Sequence, residues 1–327
     1  MPPRICLVGA GRWSTSVHLP ALQRLQASRL AEYSGVCDLD AAKARAYASA
    51  LDAAPHTDLD AMLDDLHPDG LLLITGPGQL PDVIRTAIGR GIPFLCEKPP
   101  ATDAETHREL RDAAGALPHV VAYNRRHAPY IARAKEWLEG AELQAVACHF
   151  ARHRRRDEDF TTTAVHGIDA ALYLAGAELE TARLEVAPAG GVVNFFIDGW
   201  TTNGVRVSIL VTPDTGSAQE HYTIRSADRT VALAFPQNPM VDRPGWVELH
   251  QENRVAARLT AADFGLADDD LSALIGVQAE EERFARMLAG EAVSISTLAT
   301  SLQTQQLREQ LCHPGLTERI SVDWRRG

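Results

Sequence analysis

The sequence predicts an α/β chain in two parts. The first is a Rossmann-type doubly wound parallel sheet, and the second an α+β domain with a large, mostly antiparallel sheet. Three observations predict this. Short apolar runs alternate with amphipathic helical stretches through residues 1–122, the pattern of strands joined by crossover helices. The first such run, Ile5-Cys6-Leu7-Val8, leads into Gly9-Ala10-Gly11 just before a helix start. From about residue 182 to 256, strand-like segments follow one another with no helix between them, which argues for antiparallel pairing. At 327 residues the chain is long for one core and suits two, divided as 1–122 and 123–327.

Each element has its own justification. Residues 4–8 alternate too little for a half-exposed strand and read as a parallel one covered on both faces. A helix is expected from Ser14, where Val17, Leu19, Leu22 and Leu25 fall at helical spacing. Residues 33–37 read as the second strand and 40–51 as an alanine-rich helix. Residues 71–74 form another buried strand, ended by Thr75-Gly76-Pro77-Gly78. Helix 80–89, strand 92–96, helix 103–115 and strand 119–123 complete the first part. After Asn124 the rhythm changes to a helix at 131–138, a strand, a helix carrying His166, and the strand-rich stretch. Helices near 270–289 and 296–311 and a strand at 320–322 end the chain. There is no internal repeat or low-complexity linker, so a tight domain boundary is expected near residue 123.

Composition narrows the function. Apolar residues make up 45% and charged residues 23%, the mix of a soluble globular protein. A net charge of −11 argues against general binding to nucleic acid or acidic membranes. No apolar stretch approaches the roughly 18 residues that span a bilayer, and the N-terminus lacks a leader pattern, so a cytoplasmic location is expected. Cys6, Cys37, Cys96, Cys148 and Cys312 are odd in number and widely spaced, without C-x-x-C. They read as reduced thiols, and no metal site is expected.

The residues that suggest chemistry lie at strand ends, where open α/β sheets bind ligands. Gly9 and Gly11 suit a tight turn whose backbone N–H groups approach a pyrophosphate, with Arg12 and Trp13 on the same turn. Ser14 stands where such turns carry a third glycine, and serine is small and able to cap a helix. Asp38 ends the second strand, where a carboxylate accepts hydrogen bonds from an adenosine ribose and repels a 2′-phosphate. That favours NAD. Arg12 and Lys43 nearby leave NADP open, and Asp40 competes with Asp38 for the ribose. Thr75 and Pro77 end the strand at the switch point, where the nicotinamide side of the cleft is expected. Glu97-Lys98-Pro99 closes a buried strand. A lysine there, desolvated beside a cationic nicotinamide, is a candidate acid–base group. His166 and Asp169, three apart on a helix, share a face.

Taken together, GAGRW at 9–13, VCDLD at 36–40, CEKP at 96–99, YNRR at 123–126 and HGIDAALYLAG at 166–176 resemble the Gfo/Idh/MocA family. This is the family of glucose–fructose oxidoreductase, inositol dehydrogenase and relatives. The resemblance covers most of the first 175 residues, and no motif is visible beyond about residue 180. It implies that Lys98 donates a proton to, or hydrogen-bonds with, the oxygen that changes oxidation state. It makes His166 a proton acceptor or substrate contact and Asp169 a ligand for substrate hydroxyls. Tyr123, Asn124 and Arg126 would touch cofactor or substrate, with Glu97 beside the cofactor. Two departures stand out. Leu80 occupies the place of a family histidine, and Thr162 replaces the aspartate four residues before the histidine. Threonine carries no charge to raise the basicity of His166, so reduction of a ketone or imine is easier to support than oxidation of an unactivated alcohol.

Arg152 and Arg154–Arg156 form an unusual basic run in an acidic chain. Either they pair with Asp157, Glu158 and Asp159 in a solvated loop, or one or two of them, Arg154 among these, bind an anionic substrate such as a uronate or nucleotide-linked sugar. The function expected is hydride transfer between a nicotinamide and a sugar, cyclitol or related polyol or ketone. A homo-oligomer, dimer or tetramer, is expected through the open sheet. The alternatives are a keto-sugar or imine reductase, an NAD-binding non-catalytic regulator, and a redox-neutral NAD-dependent glycosidase.

Overall fold

The computed structural model describes residues 1–236, 245–313 and 316–326. They form two compact units, one of residues 1–124 with 276–302, the other of 125–275 with 303–327. The division expected after residue 122 did not anticipate that 276–302 belongs with the first unit.

In the first unit, β1 (Arg4–Val8), β2 (Glu32–Cys37), β3 (Ala54–His56), β4 (Gly70–Leu73), β5 (Phe94–Cys96) and β6 (His119–Val121) form a six-stranded sheet ordered β3-β2-β1-β4-β5-β6. All its pairings are parallel. The helices between strands are α1 (Leu19–Ala27), α2 (Ala41–Leu51), α3 (Leu59–Leu66), α4 (Leu80–Gly89) and α5 (Ala104–Ala114). Chain order reverses between β1 and β4, which places the switch point at the ends of Val8 and Leu73. The sequence pattern missed β3 and α3. The strand has three residues with Pro55 at its centre, and the helix is one of the shortest in the sheet region.

Residues 14–18 open the first helix as a π-turn rather than an α-turn. Ser14 is not a cap there: its hydroxyl donates to the Tyr47 hydroxyl at 3.1 Å. The helix expected over 270–289 is two, α8 (Leu271–Leu274), which belongs to the second unit, and α9 (Val277–Leu288), broken at Gly276 with φ +90°. Helix α9 explains why 276–302 belongs to the first unit. Phe284 and Ala285 are buried in the same core as Ile5, Leu7, Val36 and Leu95.

Two histidines fix the segment that follows. The His107 Nε2–H donates to the Leu298 carbonyl at 2.8 Å. His119 donates from Nδ1 to the Leu117 carbonyl (2.7 Å) and accepts the Leu298 N–H at Nε2 (3.1 Å), which only the neutral ring can do. Burial lowers both, His107 to about 4. Because the folded state disfavours their protonation, this stability is fully present above the ordinary histidine pKa of about 6.5 and is lost as pH falls through 4. Urea midpoints measured at pH 7, 5.5 and 4.5 should fall steadily in the parent protein and less steeply in His107→Gln. Equal slopes would show that His107 does not contribute to acid sensitivity.

The second unit contains α6 (Pro129–Trp137), α7 (Thr161–Ala175) and a nine-stranded sheet. Its strands are β7 (Leu143–Ala151), β8 (Leu179–Ala189), β9 (Val192–Thr201), β10 (Arg206–Thr212), β11 (Gln219–Ser226), β12 (Thr230–Ala234), β13 (Trp246–Gln251), β14 (Arg254–Thr260) and β15 (Ile320–Arg325). Their order is β14-β13-β12-β11-β7-β10-β9-β8-β15, antiparallel throughout except for β7 with β10. The alternating burial along β10 and β11 marks one covered face. Helix α7 packs closely against β7 at Gly167, where a β-carbon would lie 2.8 Å from the Phe150 ring. The helix α10 spans Leu298–Leu311. All five cysteines are free thiols, and none of the described helices is long and apolar enough to cross a membrane.

Candidate functional site

The glycine turn is built by backbone geometry that tolerates no side chain at its first position. Gly9 has φ +103°, and a β-carbon there would lie 2.2 Å from the Ile74 carbonyl oxygen. Its N–H donates to the Cys37 carbonyl at 2.8 Å, drawing the turn against the end of β2. Asp38 completes that link: its carboxylate accepts the Ala10 N–H (2.8 Å) and the Asp40 N–H (2.9 Å). The Asp40 carboxylate caps α2 through the N–H groups of Ala42 and Lys43, and the Lys43 ammonium lies 3.7 Å from it. Asp40 is thus engaged as the cap of α2, while Asp38 stands beside the glycine turn itself.

The surroundings suit a dinucleotide. A β-carbon at Gly11, Gly76 or Gly78 would meet nothing within 4 Å, so backbone is open to close approach there. Arg12, Trp13 and Pro77 are exposed on these two turns. The Thr75 hydroxyl is buried without a hydrogen-bond partner among the described residues. An orphaned hydroxyl beside open glycine backbone is a reasonable place for a polar ligand group.

Lys98 follows the fully buried strand β5, as expected, and its backbone N–H donates to the Glu97 carboxylate at 3.0 Å. Glu97 Oε1 also accepts from the Trp13 indole (2.8 Å) and lies 3.1 Å from His18 Nε2. On its other side, His18 Nδ1 lies 2.6 Å from Glu281 Oε1 on α9. Burial alone lowers the pKa of His18, but the two carboxylates outweigh it and hold it up at about 10. Burial likewise raises Glu97, yet the His18 hydrogen bond and the Lys98 charge bring it down to about 2. Burial keeps Glu281 above the usual carboxylate range. Sequence reasoning missed both His18 and Glu281. A histidine on the same buried face as Ser14 and Val17 was the one available signal.

The second unit brings together another group of the expected residues. Arg126 forks onto Asp169 through Nε (2.8 Å) and Nη2 (2.5 Å), and its guanidinium lies over the Tyr173 ring. Asp169 is 1% exposed, and burial raises its pKa against the pull of Arg126. His166 lies on the same buried helix. The Thr162 hydroxyl donates to the Asp159 carbonyl at 3.1 Å, so it serves the start of α7. Tyr123 and Asn124 are buried at the end of the first unit.

The arginine run departs from its local-pairing expectation. Arg155 does pair with Asp157 (2.6 Å), but Arg156 pairs with Asp214 (2.9 Å), and Asp159 with Arg308. Arg152 reaches the fully buried Glu220 at 2.7 Å, sharing it with Arg125. The Arg154 side chain is exposed, and its backbone N–H donates to Asp214.

Comparison with known proteins gives this geometry a context. Residues 3–125 match the family model for the GFO/IDH/MocA oxidoreductases, described as an NAD-binding Rossmann fold. Inositol 2-dehydrogenase of Arthrobacter sp. (strain FB24) is 29% identical over 206 residues, 57% of this chain and 60% of that protein. The chain thus spans about 60% of the length of the curated relatives it first matches. The crystal structure of a dehydrogenase from Chromobacterium violaceum superposes with a TM-score of 0.81 at 18% identity, covering 95% of this chain and 94% of the other. UDP-N-acetylglucosamine 3-dehydrogenase from Acidithiobacillus ferrooxidans gives 0.77 at 18% identity, covering 95% and 97%. At such identities the structures speak for the fold. The family match and the six-stranded parallel sheet agree on the first part of the chain: residues 3–125 resemble the Rossmann unit that the GFO/IDH/MocA oxidoreductase model describes as NAD-binding.

Proposed function

We propose that the protein is an NAD(H)-dependent oxidoreductase acting on a sugar, a cyclitol or a related small polyol or ketone. The observation that carries this reading is the Gly9 turn locked to Asp38, within a segment matching an NAD-binding oxidoreductase family. Gly9, Gly11, Arg12 and Trp13 would hold the pyrophosphate side and Asp38 the ribose. Thr75, Pro77, Glu97 and Asn124 would serve the rest of the cofactor, which supplies or accepts the hydride. Lys98 and His166 are the proposed acid–base groups. Asp169, Tyr123, Arg126, Thr162 and Arg154 are the proposed substrate contacts. The relatives named inositol 2-dehydrogenase support a cyclitol or sugar.

Thr162 favours carbonyl reduction as the working direction. Its hydroxyl serves a backbone carbonyl, and it brings no carboxylate to support His166 as a base. An anionic substrate is a narrower proposal, because Arg152, Arg155 and Arg156 have acidic partners in the fold and Arg154 alone of the run is exposed without a side-chain partner among the described residues.

Calorimetric titration should show tighter binding of NADH than NADPH, and Asp38→Ala should narrow that gap. Each polyol and ketone in a panel is then followed by nicotinamide absorbance, with sugar release measured in parallel. A clear NADPH preference in the unmodified protein would overturn the role of Asp38. Sugar release without net change in NADH would replace the oxidoreductase reading with a redox-neutral one.

A further inference from the structure

The Glu97 carboxylate joins three segments of the first unit. Oε1 takes the Trp13 indole N–H at 2.8 Å and faces His18 Nε2 at 3.1 Å, while Oε2 takes the Lys98 backbone N–H at 3.0 Å. His18 is 1% exposed and is held from behind by Glu281 of α9, itself 2% exposed, at 2.6 Å. We propose that His18 and Glu281 are positioning residues: His18, bridging Glu281 to Glu97, fixes the carboxylate that ties the glycine turn to the backbone at Lys98.

The chemistry of the ring supports this. A neutral imidazole has one N–H, whereas both ring nitrogens of His18 face carboxylate oxygens. The imidazolium satisfies both at once. The charged and titratable groups around it come from every neighbouring element. Glu97 belongs to the loop after β5 and Glu281 to α9, and the Trp13 ring edge comes from the glycine turn. Tyr33 of β2 and Tyr47 of α2 lie near enough to Glu281 to feel its charge, and Lys98 bears on Glu97 in the same way. With Lys98 protonated, two cations balance the two carboxylates. Losing the imidazolium leaves Glu97 without its rear support, so the Lys98 backbone and the Trp13 ring lose a common anchor. A displacement of about 1 Å at a reacting group costs on the order of 10²-fold in rate.

This inference rests on the proposed acid–base role of Lys98, but its test separates the two. The indole N–H resonance of Trp13, identified by its absence in Trp13→Phe, is recorded in the cofactor-free protein from pH 6 to 9. In the unmodified protein it should hold steady. In His18→Gln it should shift, and in Glu281→Gln, a near-isosteric change, it should move with pH across that range. Turnover should fall by roughly 10- to 100-fold in both variants, and the pH profile of kcat should change shape. His18→Asn, which keeps one amide donor at shorter reach, should restore neither. An unmoved Trp13 resonance with parental turnover in both glutamine variants overturns the proposal. If the unmodified protein transfers no hydride with any compound, the reading of the activity fails, and the Trp13 resonance still upholds or overturns the anchor.

Discussion

Replacing Lys98 with methionine is expected to lower turnover by roughly 10²–10⁴-fold, the range for loss of a general acid or base. The substitution keeps the length and apolar bulk of the stem and removes the proton-bearing group. The Lys98 backbone N–H donates to Glu97, and methionine retains that hydrogen bond while removing the charge that bears on the same carboxylate. NAD affinity should therefore change little, since the glycine turn and Asp38 are untouched. Cofactor titration beside single-turnover measurement separates the two effects. Parental turnover on an authentic substrate would remove Lys98 from the mechanism. A parallel loss of NAD affinity would assign it to cofactor binding instead.

The parts of the candidate site whose positions were legible in the sequence are those built from neighbouring residues. Gly9, Asp38 and the strand-end Lys98 lie on short strand-to-loop transitions whose composition carries the signal. The separation of β1 from β2 is a single crossover unit, so the Ala10–Asp38 link follows from the alternation itself. The pair of His18 with Glu281 joins residues 263 apart, and nothing around Glu281 says which sheet its helix will cover. For the same reason the return of 276–302 to the first unit could not be read. A helix with an apolar stripe specifies that it needs a partner, without naming it.

The arginine run failed differently. Proximity in sequence suggested Asp157, Glu158 and Asp159 as partners, and that held for Arg155 alone. The register of β7 against β11 sets Phe150 opposite Glu220, so Arg152, whose guanidinium lies 3.7 Å over the Phe150 ring, reaches that carboxylate across the sheet. Partners 68 residues apart are chosen by strand pairing, which the local pattern does not encode.

That buried cluster should carry the largest effect on stability. Glu220 is fully buried and accepts from Arg125 Nε (3.0 Å) and Nη2 (3.3 Å), Arg152 Nη2 (2.7 Å) and the Tyr222 hydroxyl (3.2 Å). Burial by itself raises the Glu220 pKa, and the two guanidiniums overcome this and hold it at about 2. Glu220→Leu leaves two buried cations without their counter-charge, and breaking a buried ion pair from one side costs about 3–5 kcal/mol. Glu220→Gln keeps acceptor capacity for the same donors and should cost less, though it too loses the charge. The sign with pH follows from the lowered carboxyl. Its contribution is fully present above the ordinary glutamate pKa of about 4.3 and is lost as pH falls through 2. The gap between parent and Glu220→Leu in urea unfolding should therefore be widest near pH 7 and narrow toward pH 3, as the parent's own carboxylate begins to take up a proton in the unfolded chain. A gap of the same size at both pH values would mean that the leucine variant loses packing and not charge. In that case the cluster stabilises the sheet through the stacking of Arg125 on Phe235 and Arg152 on Phe150, with Glu220 as a spacer between them.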